Sequence, residues 1–228
     1  ERTYLHWIKR FIYFSGKRHP QQMGAVEVEA FLNHLAVNSG VSPATQRTAL
    51  NALMYLYSKY YGRVLESLSF NYAKPTQRMP TVLTHQEAME ILSHLSGGPR
   101  LMAELLYGCG LRLQECVTLR IKDVDFELNV ITVRQGKGDK DRTTLLPVSS
   151  RDRLRHQVEK ALAVHAQDLA DGYGEVYLPH ALHRKYPNAA RSPGWQYLFP
   201  STRLAPDPRS GVIRRHHIHP TALRKHLK

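Results

Sequence analysis

Only two cysteines occur in 228 residues. Cys109 and Cys116 lie seven positions apart in a stretch that reads as helix. Two cysteines build neither a disulfide framework nor a cysteine-only zinc site. They are expected to be reduced, buried thiols of a cytoplasmic protein. No apolar run approaches the roughly 18–20 residues that span a bilayer. The opening Glu-Arg-Thr-Tyr-Leu-His-Trp lacks the apolar core and small-residue cleavage site of a secretion signal. It also lacks an initiating Met, so the chain is read as part of a longer one. Internal repeats and low-complexity tracts are absent. Acidic residues are scarce, 19 against 32 Lys plus Arg, for a formal net charge of +13 with 13 His counted as neutral. That balance argues against a small acidic substrate and for a polyanionic partner, nucleic acid or an anionic membrane face.

What is present suffices for one large or two small domains; 42% of the residues are hydrophobic. The first sixty residues carry helical stripes. Tyr4, Ile8, Phe11 and Ile12 share one face, and Val28, Phe31, Leu32 and Leu35 another. Ser42-Pro43 reads as an N-cap followed by Pro at the first helical position, with Leu50, Leu53, Met54, Tyr57 and Tyr61 behind it. Residues 1–65 are therefore expected to form a small helical domain. Residues 66–82 break the period and carry two prolines with Lys74 and Arg78, the expectation for an extended basic linker.

Residues 83–228 are expected to form a second domain. Thr84 and Glu87 have capping-box spacing, and an apolar helix over about 100–107 is interrupted at Gly108-Cys109-Gly110. A further helix starts near Leu111. A β-rich patch follows, with Val130–Val133 and about Arg142–Leu146 as strands around a Gly136–Asp139 turn. Leu154, Val158, Ala161 and Leu162 mark another helix. Residues 170–217 are rich in Pro, aromatics, Arg and His, with weak periodicity, the mark of a long functional loop. A basic helix starts at Pro220. The fold class is mainly α with a small antiparallel sheet.

Three groups of residues could carry chemistry. In Gly110-Leu-Arg-Leu-Gln-Glu115, an arginine just behind a glycine turn suits a phosphate, and Glu115 can orient Arg112 from the same helix face; the bland alternative is a surface ion pair. In Gln135-Gly-Lys-Gly-Asp-Lys-Asp-Arg142, a tight turn places a long lysine at its tip, able to protonate a leaving oxygen or hold a phosphate; the alternative is a solvated charged turn. Walker spacing is absent. His216-His217-x-His219 carries no metal expectation, because adjacent histidines point apart and no acidic or Cys partner is near.

The order of these features resembles the tyrosine recombinase (phage integrase) family along essentially the whole chain. It runs from helical domain and basic linker to Gly-Leu-Arg-x-x-Glu, an Asp-Val-Asp-Phe strand and a Gly-Lys-Gly-x-Lys-x-Arg hairpin. The segments at 181–189, 195–201 and 214–217 resemble the insertion of integron integrases. The resemblance implies a core-binding domain and a catalytic domain that clamp DNA. It makes Arg112 a phosphate-clamping arginine and Lys137 the hairpin lysine, with Lys140 as fallback and Arg142 as a further DNA contact. Trp195, Pro208, Arg214, Arg215, His216 and His217 would hold extrahelical bases and backbone of folded single-stranded cassette sites. The alternative for Trp195, Tyr197 and Phe199 is a satellite core.

In that family a tyrosine attacks the phosphate, so neither metal nor cofactor is implied. The partners implied are double-stranded sites, folded hairpins and a homotetramer on DNA. His-x-x-Arg and the nucleophilic-tyrosine motif are missing from this sequence. The chain is thus expected to bind DNA without cutting it, as a piece of a bacterial, nucleoid-associated recombinase, or else to be a non-catalytic DNA-binding protein.

Overall fold

Helix signals in the first part of the sequence translate directly into helices. The computed structural model describes residues 2–65, 67–75, 81–134, 140–179 and 182–227. The chain divides into two units, Glu1–Thr81 and Val82–Lys228. In the first, α1 (Arg2–Phe14), α2 (Ala25–Val37) and α3 (Pro43–Tyr55) enclose one core. The α1 stripe centres on Trp7 and Phe11, with Tyr4 and Ile8 at its rim, whereas α2 buries Val28, Phe31, Leu32 and Leu35. The Ser42 hydroxyl accepts from the Thr45 N–H at 3.2 Å and so caps α3. A single π turn, Leu56–Tyr60, follows α3; Tyr57 is buried there and its hydroxyl donates to the Pro20 carbonyl at 3.0 Å.

The expected linker is partly something else. Residues 67–75 have no helix or strand, but they are strapped to the helical unit. The Ser69, Asn71 and Ala73 N–H groups donate to Glu29, Asn33 and Gln46 side chains at 2.7, 2.6 and 2.8 Å. Leu68 and Phe70 pack on its core. An extended chain turns every second N–H the same way, and polar side chains of α2 and α3 meet that period. Buried Gln46 completes the strap by donating to the Leu32 and Asn71 carbonyls at 3.0 and 2.8 Å.

The second unit has its own core around α4 (His85–Ser93), α5 (Gly97–Cys109), α6 (Leu113–Thr118) and α7 (Arg151–Ala170). Thr84 and Glu87 form the capping box at the start of α4, each side chain accepting from the other's N–H at 3.3 and 2.8 Å. The expected interruption at Gly108-Cys109-Gly110 falls on its last residue: α5 runs through Gly108 and Cys109 and ends at Gly110, where φ is +62°. Glycine enters this left-handed region without a Cβ penalty, which makes it the stop signal. Leu111 is buried beyond the stop, and α6 begins at Leu113 rather than Leu111.

A three-stranded antiparallel sheet has the order β1 (Val124–Asp125), β2 (Val130–Val133), β3 (Arg142–Leu145). Its register pairs Val133 with Arg142 and Val130 with Leu145. Ile131 and Val133 point into the core, the alternation expected of a half-buried strand.

The long expected loop after α7 contains regular structure: a short α8 (Leu182–Lys185) and an antiparallel hairpin, β4 (Pro200–Pro206) and β5 (Ile213–His217). Short α9 (Thr221–His226) follows, its Leu223 in the core. No helix is long and apolar enough to cross a membrane among the described residues.

Candidate functional site

Arg112 stands between the glycine stop of α5 and the first turn of α6, in extended backbone (φ −75°, ψ 152°). Buried Leu111 on one side and Cys116 and Val117 on the other fix this segment to the core. The Arg112 guanidinium is left 56% exposed, while Glu115 beneath it is 8% exposed. The contrast matters, because a buried carboxylate can orient a cation whose remaining donors face solvent.

Glu115 is saturated. Its two oxygens accept from the Arg112 N–H at 2.8 Å, the Arg112 guanidinium at 2.7 Å, and the two terminal nitrogens of Arg142 at 2.9 and 2.7 Å. The Arg142 bonds are the largest influence that lowers the Glu115 pKa to about 2 against an opposing effect of burial; bonds from Arg112 add to the lowering. The carboxylate is therefore ionised at neutral pH, and two arginines around one acid leave a net positive charge.

The sheet puts Arg142 there. It opens β3 opposite Val133, and Thr144 two residues on donates to the Cys109 carbonyl at 2.9 Å. The strand that leaves the charged hairpin is thus pinned to the end of α5 and the start of α6. Arg142, expected as a DNA contact, is held in a bidentate pair on Glu115. Lys140 is exposed one residue before Asp141. Lys137 lies outside the described residues.

The residues expected to hold bases are dispersed over the 182–217 segment, and several have protein partners. Arg215 forks onto buried Asp168 of α7 and donates to the Ser201 carbonyl at 2.8 Å, which clamps the β4–β5 hairpin to the helix. Arg214 pairs with buried Asp207 at 3.4 Å. Asp207 organises the hairpin tip: its carbonyl accepts from Ser210 and Gly211 N–H, and its carboxylate accepts from Arg209 N–H at 2.9 Å. Pro208 is exposed on that tip.

His217 is half-buried, edge-on to Tyr197 with ring centroids 5.3 Å apart, and its Nδ1 lies 2.8 Å from the Ile218 carbonyl. Burial pushes its pKa down, which keeps the ring neutral at pH 7. The Nε2 of His216 is buried without a hydrogen-bond partner among the described residues. Tyr197 and Phe199 are buried, whereas Trp195 is half-buried. The described residues contain no group of three or more metal-ligating side chains.

Sequence reasoning missed Arg120 and Lys122. Arg120 is buried, donates to the Trp195 and Tyr177 carbonyls, and lies over the Tyr197 ring at 4.7 Å. Burial is the main influence that lowers its pKa. The Lys122 ammonium sits 3.3 Å from the centre of the Trp195 ring. Both residues help line a cleft of about 690 Å³, with Glu115, Arg134, Tyr177 and Trp195 also in its wall. Nothing in the Thr118-Leu-Arg-Ile-Lys122 pattern marks these cations, because their partners are some 55 to 75 positions away.

Comparison with known proteins adds an independent finding. Residues 1–67 match the phage integrase N-terminal SAM-like domain, and residues 81–227 match the phage integrase family. An integrase/recombinase of Escherichia coli is 45% identical over 229 aligned positions, spanning 100% of this chain and 68% of that protein. The tyrosine recombinase XerA of Thermococcus kodakarensis is 32% identical over 161 positions, 69% of this chain and 55% of its own. The solved structure of a XerA recombinase aligns over 99% of this chain and 67% of its own, with a TM-score of 0.43 and 22% identity. That of XerH site-specific recombinase bound to difH substrate aligns over 69% and 50%, with a TM-score of 0.49 and 25% identity.

Proposed function

The chain belongs to the phage integrase family of tyrosine recombinases, which are DNA strand-exchange enzymes, and on that premise we propose that it binds DNA recombination sites and presents Arg112 to the scissile phosphate. The exposed Arg112 guanidinium, oriented by a buried and saturated Glu115, carries this reading. A cation held before the substrate arrives stabilises charge on a pentacoordinate phosphate without reorganising in the transition state. In the reaction of the family, a tyrosine hydroxyl attacks the phosphorus, a 3′-phosphotyrosyl bond forms and a 5′-hydroxyl leaves. Lys137 is the proton donor to that leaving oxygen, with Lys140 as its substitute. Arg142 acts through Glu115, not by touching the phosphate.

The substrate in this reading is the folded single-stranded site of integron cassettes, a hairpin with protruding bases. Its support is the 182–217 segment, where half-buried Trp195 lines a basic cleft and Pro208 is exposed on the hairpin tip. Aromatic faces stack on unpaired bases at about 1–3 kcal/mol each. The test is a binding titration at fixed salt with two DNAs of the same stem, one with two unpaired protruding bases and one fully paired. At least a tenfold preference for the first is expected. Equal affinities would leave a family member that reads duplex sites and would remove the integron assignment.

A further inference from the structure

Trp195 is the one residue common to two clefts whose walls otherwise differ. On one side lies the charged cleft with Arg120, Lys122 and Arg134. The other, about 540 Å³, is lined by Lys185, Tyr186, Pro187, Asn188, Ala189 and Ser192 besides Trp195. The residue contributes to both walls, so what holds its ring in place bears on what either cleft can accept.

Lys122 holds it from the charged side. Its ammonium is 3.3 Å from the ring centre, inside the range of a strong cation–π contact. The Arg120 guanidinium adds a second cation at 5.3 Å and also donates to the Trp195 carbonyl. Partial burial is the main influence that lowers the pKa of the ammonium; the Arg134 and Arg120 charges add to it and Asp123 opposes it. The side chain is exposed at the cleft wall, with its ammonium laid on the indole.

We propose that Lys122 is a positioning residue for base recognition. By occupying the charged-cleft side of Trp195, it fixes the indole so that its surface toward the Lys185–Ser192 cleft is the one offered to an unpaired nucleobase. This inference rests on the hairpin reading of the substrate. It assigns Lys122 to selectivity for protruding bases and not to backbone affinity.

Trp195 and Trp7 are the two tryptophans of the chain, so a Trp7→Phe background makes Trp195 a single fluorescent reporter. In that background, Lys122→Met keeps the length of the side chain and removes its charge. Acrylamide quenching of Trp195 should rise at least twofold in Lys122→Met and return toward the parent in Lys122→Arg. In DNA titrations, Lys122→Met should lower the preference for the protruding-base hairpin over the paired stem by about three- to tenfold, the value of one cation–π contact. Affinity for the paired stem should change less, and Lys122→Arg should restore the preference.

Unchanged quenching in Lys122→Met overturns the proposal whatever the DNA does. So does an equal loss on both DNAs, which would make Lys122 an ordinary phosphate contact. If the parent shows no preference for protruding bases, the substrate reading itself has failed, and with it the role in selectivity. Circular dichroism at the assay temperature checks that each variant is folded. Should Lys122→Met unfold, Lys122→Gln takes its place under the same outcomes.

Discussion

Replacing Glu115 by Gln removes one charge and almost no volume from the most organised ion cluster of the second unit. Glu115 is nearly buried and accepts from Arg112 and Arg142 through both oxygens. Its pKa falls from an ordinary 4.5 to about 2, a displacement equivalent to about 3 kcal/mol of preference for the ionised form in the folded state. Both guanidinium groups are at least a third exposed, so solvent screens part of this. We expect Glu115→Gln to cost about 2 kcal/mol at pH 7.

The pH dependence has a definite sign. In the unfolded chain the carboxylate takes up its proton near 4.5; in the folded chain it does so near 2. The stabilisation is complete above pH 4.5 and drains away as pH falls toward 2. Urea unfolding of both proteins at pH 7, 5, 4 and 3 reads this as a gap between two stability curves. The gap should be constant above pH 5, shrink to roughly half or less by pH 3, and close only toward pH 2. Curves that coincide at pH 7, or stay equally far apart at pH 3, would refute the saturated-carboxylate account of Arg112.

Three further substitutions probe the frame around the site. Gln46→Ala strands the Ala73 N–H and two carbonyls that Gln46 now satisfies; it should cost about 2 kcal/mol and speed amide exchange over residues 69–73, as read by mass spectrometry. Arg215→Met leaves Asp168 buried without its cation, so the melting temperature should fall by the equivalent of about 3–5 kcal/mol, with exchange protection lost in 200–217. Gly108→Ala would bring a Cβ to 2.6 Å from the rigid Pro147 ring. The overpacking, about 1–3 kcal/mol, exceeds the helix-propensity gain of about 1 kcal/mol, and a lower melting temperature is expected.

How legible this was from the sequence depended on distance along the chain. The four buried residues of α2, the Ser42 cap and the Thr84–Glu87 box are local signals, and they read directly. Arg112 and Glu115 are three apart, at the N-cap and in the first turn of one short helix, and were visible for the same reason. Arg142 was visible as a cation but not as a partner of Glu115, because a pairing across 27 residues depends on the β2–β3 register. The strap at 67–75 read as a free linker, since its hydrogen bonds go to Glu29, Asn33 and Gln46 and leave no helical or alternating pattern. The β4–β5 hairpin was hidden by arginines that the folded chain pairs with Asp168 of α7 and with Asp207 of the hairpin's own tip.

The role of Arg112 admits a direct thermodynamic test on DNA binding alone. In a recombination site, one phosphate at a time is replaced by a neutral methylphosphonate, and each DNA is titrated with the parent protein and with Arg112→Ala. The double-mutant cycle isolates the energy between the guanidinium and that phosphate. The account predicts coupling of about 1.5–3 kcal/mol at a single phosphate, in the range of a charge-assisted hydrogen bond, and values near zero at its neighbours. Coupling that is absent everywhere, or spread evenly along the backbone, would contradict it.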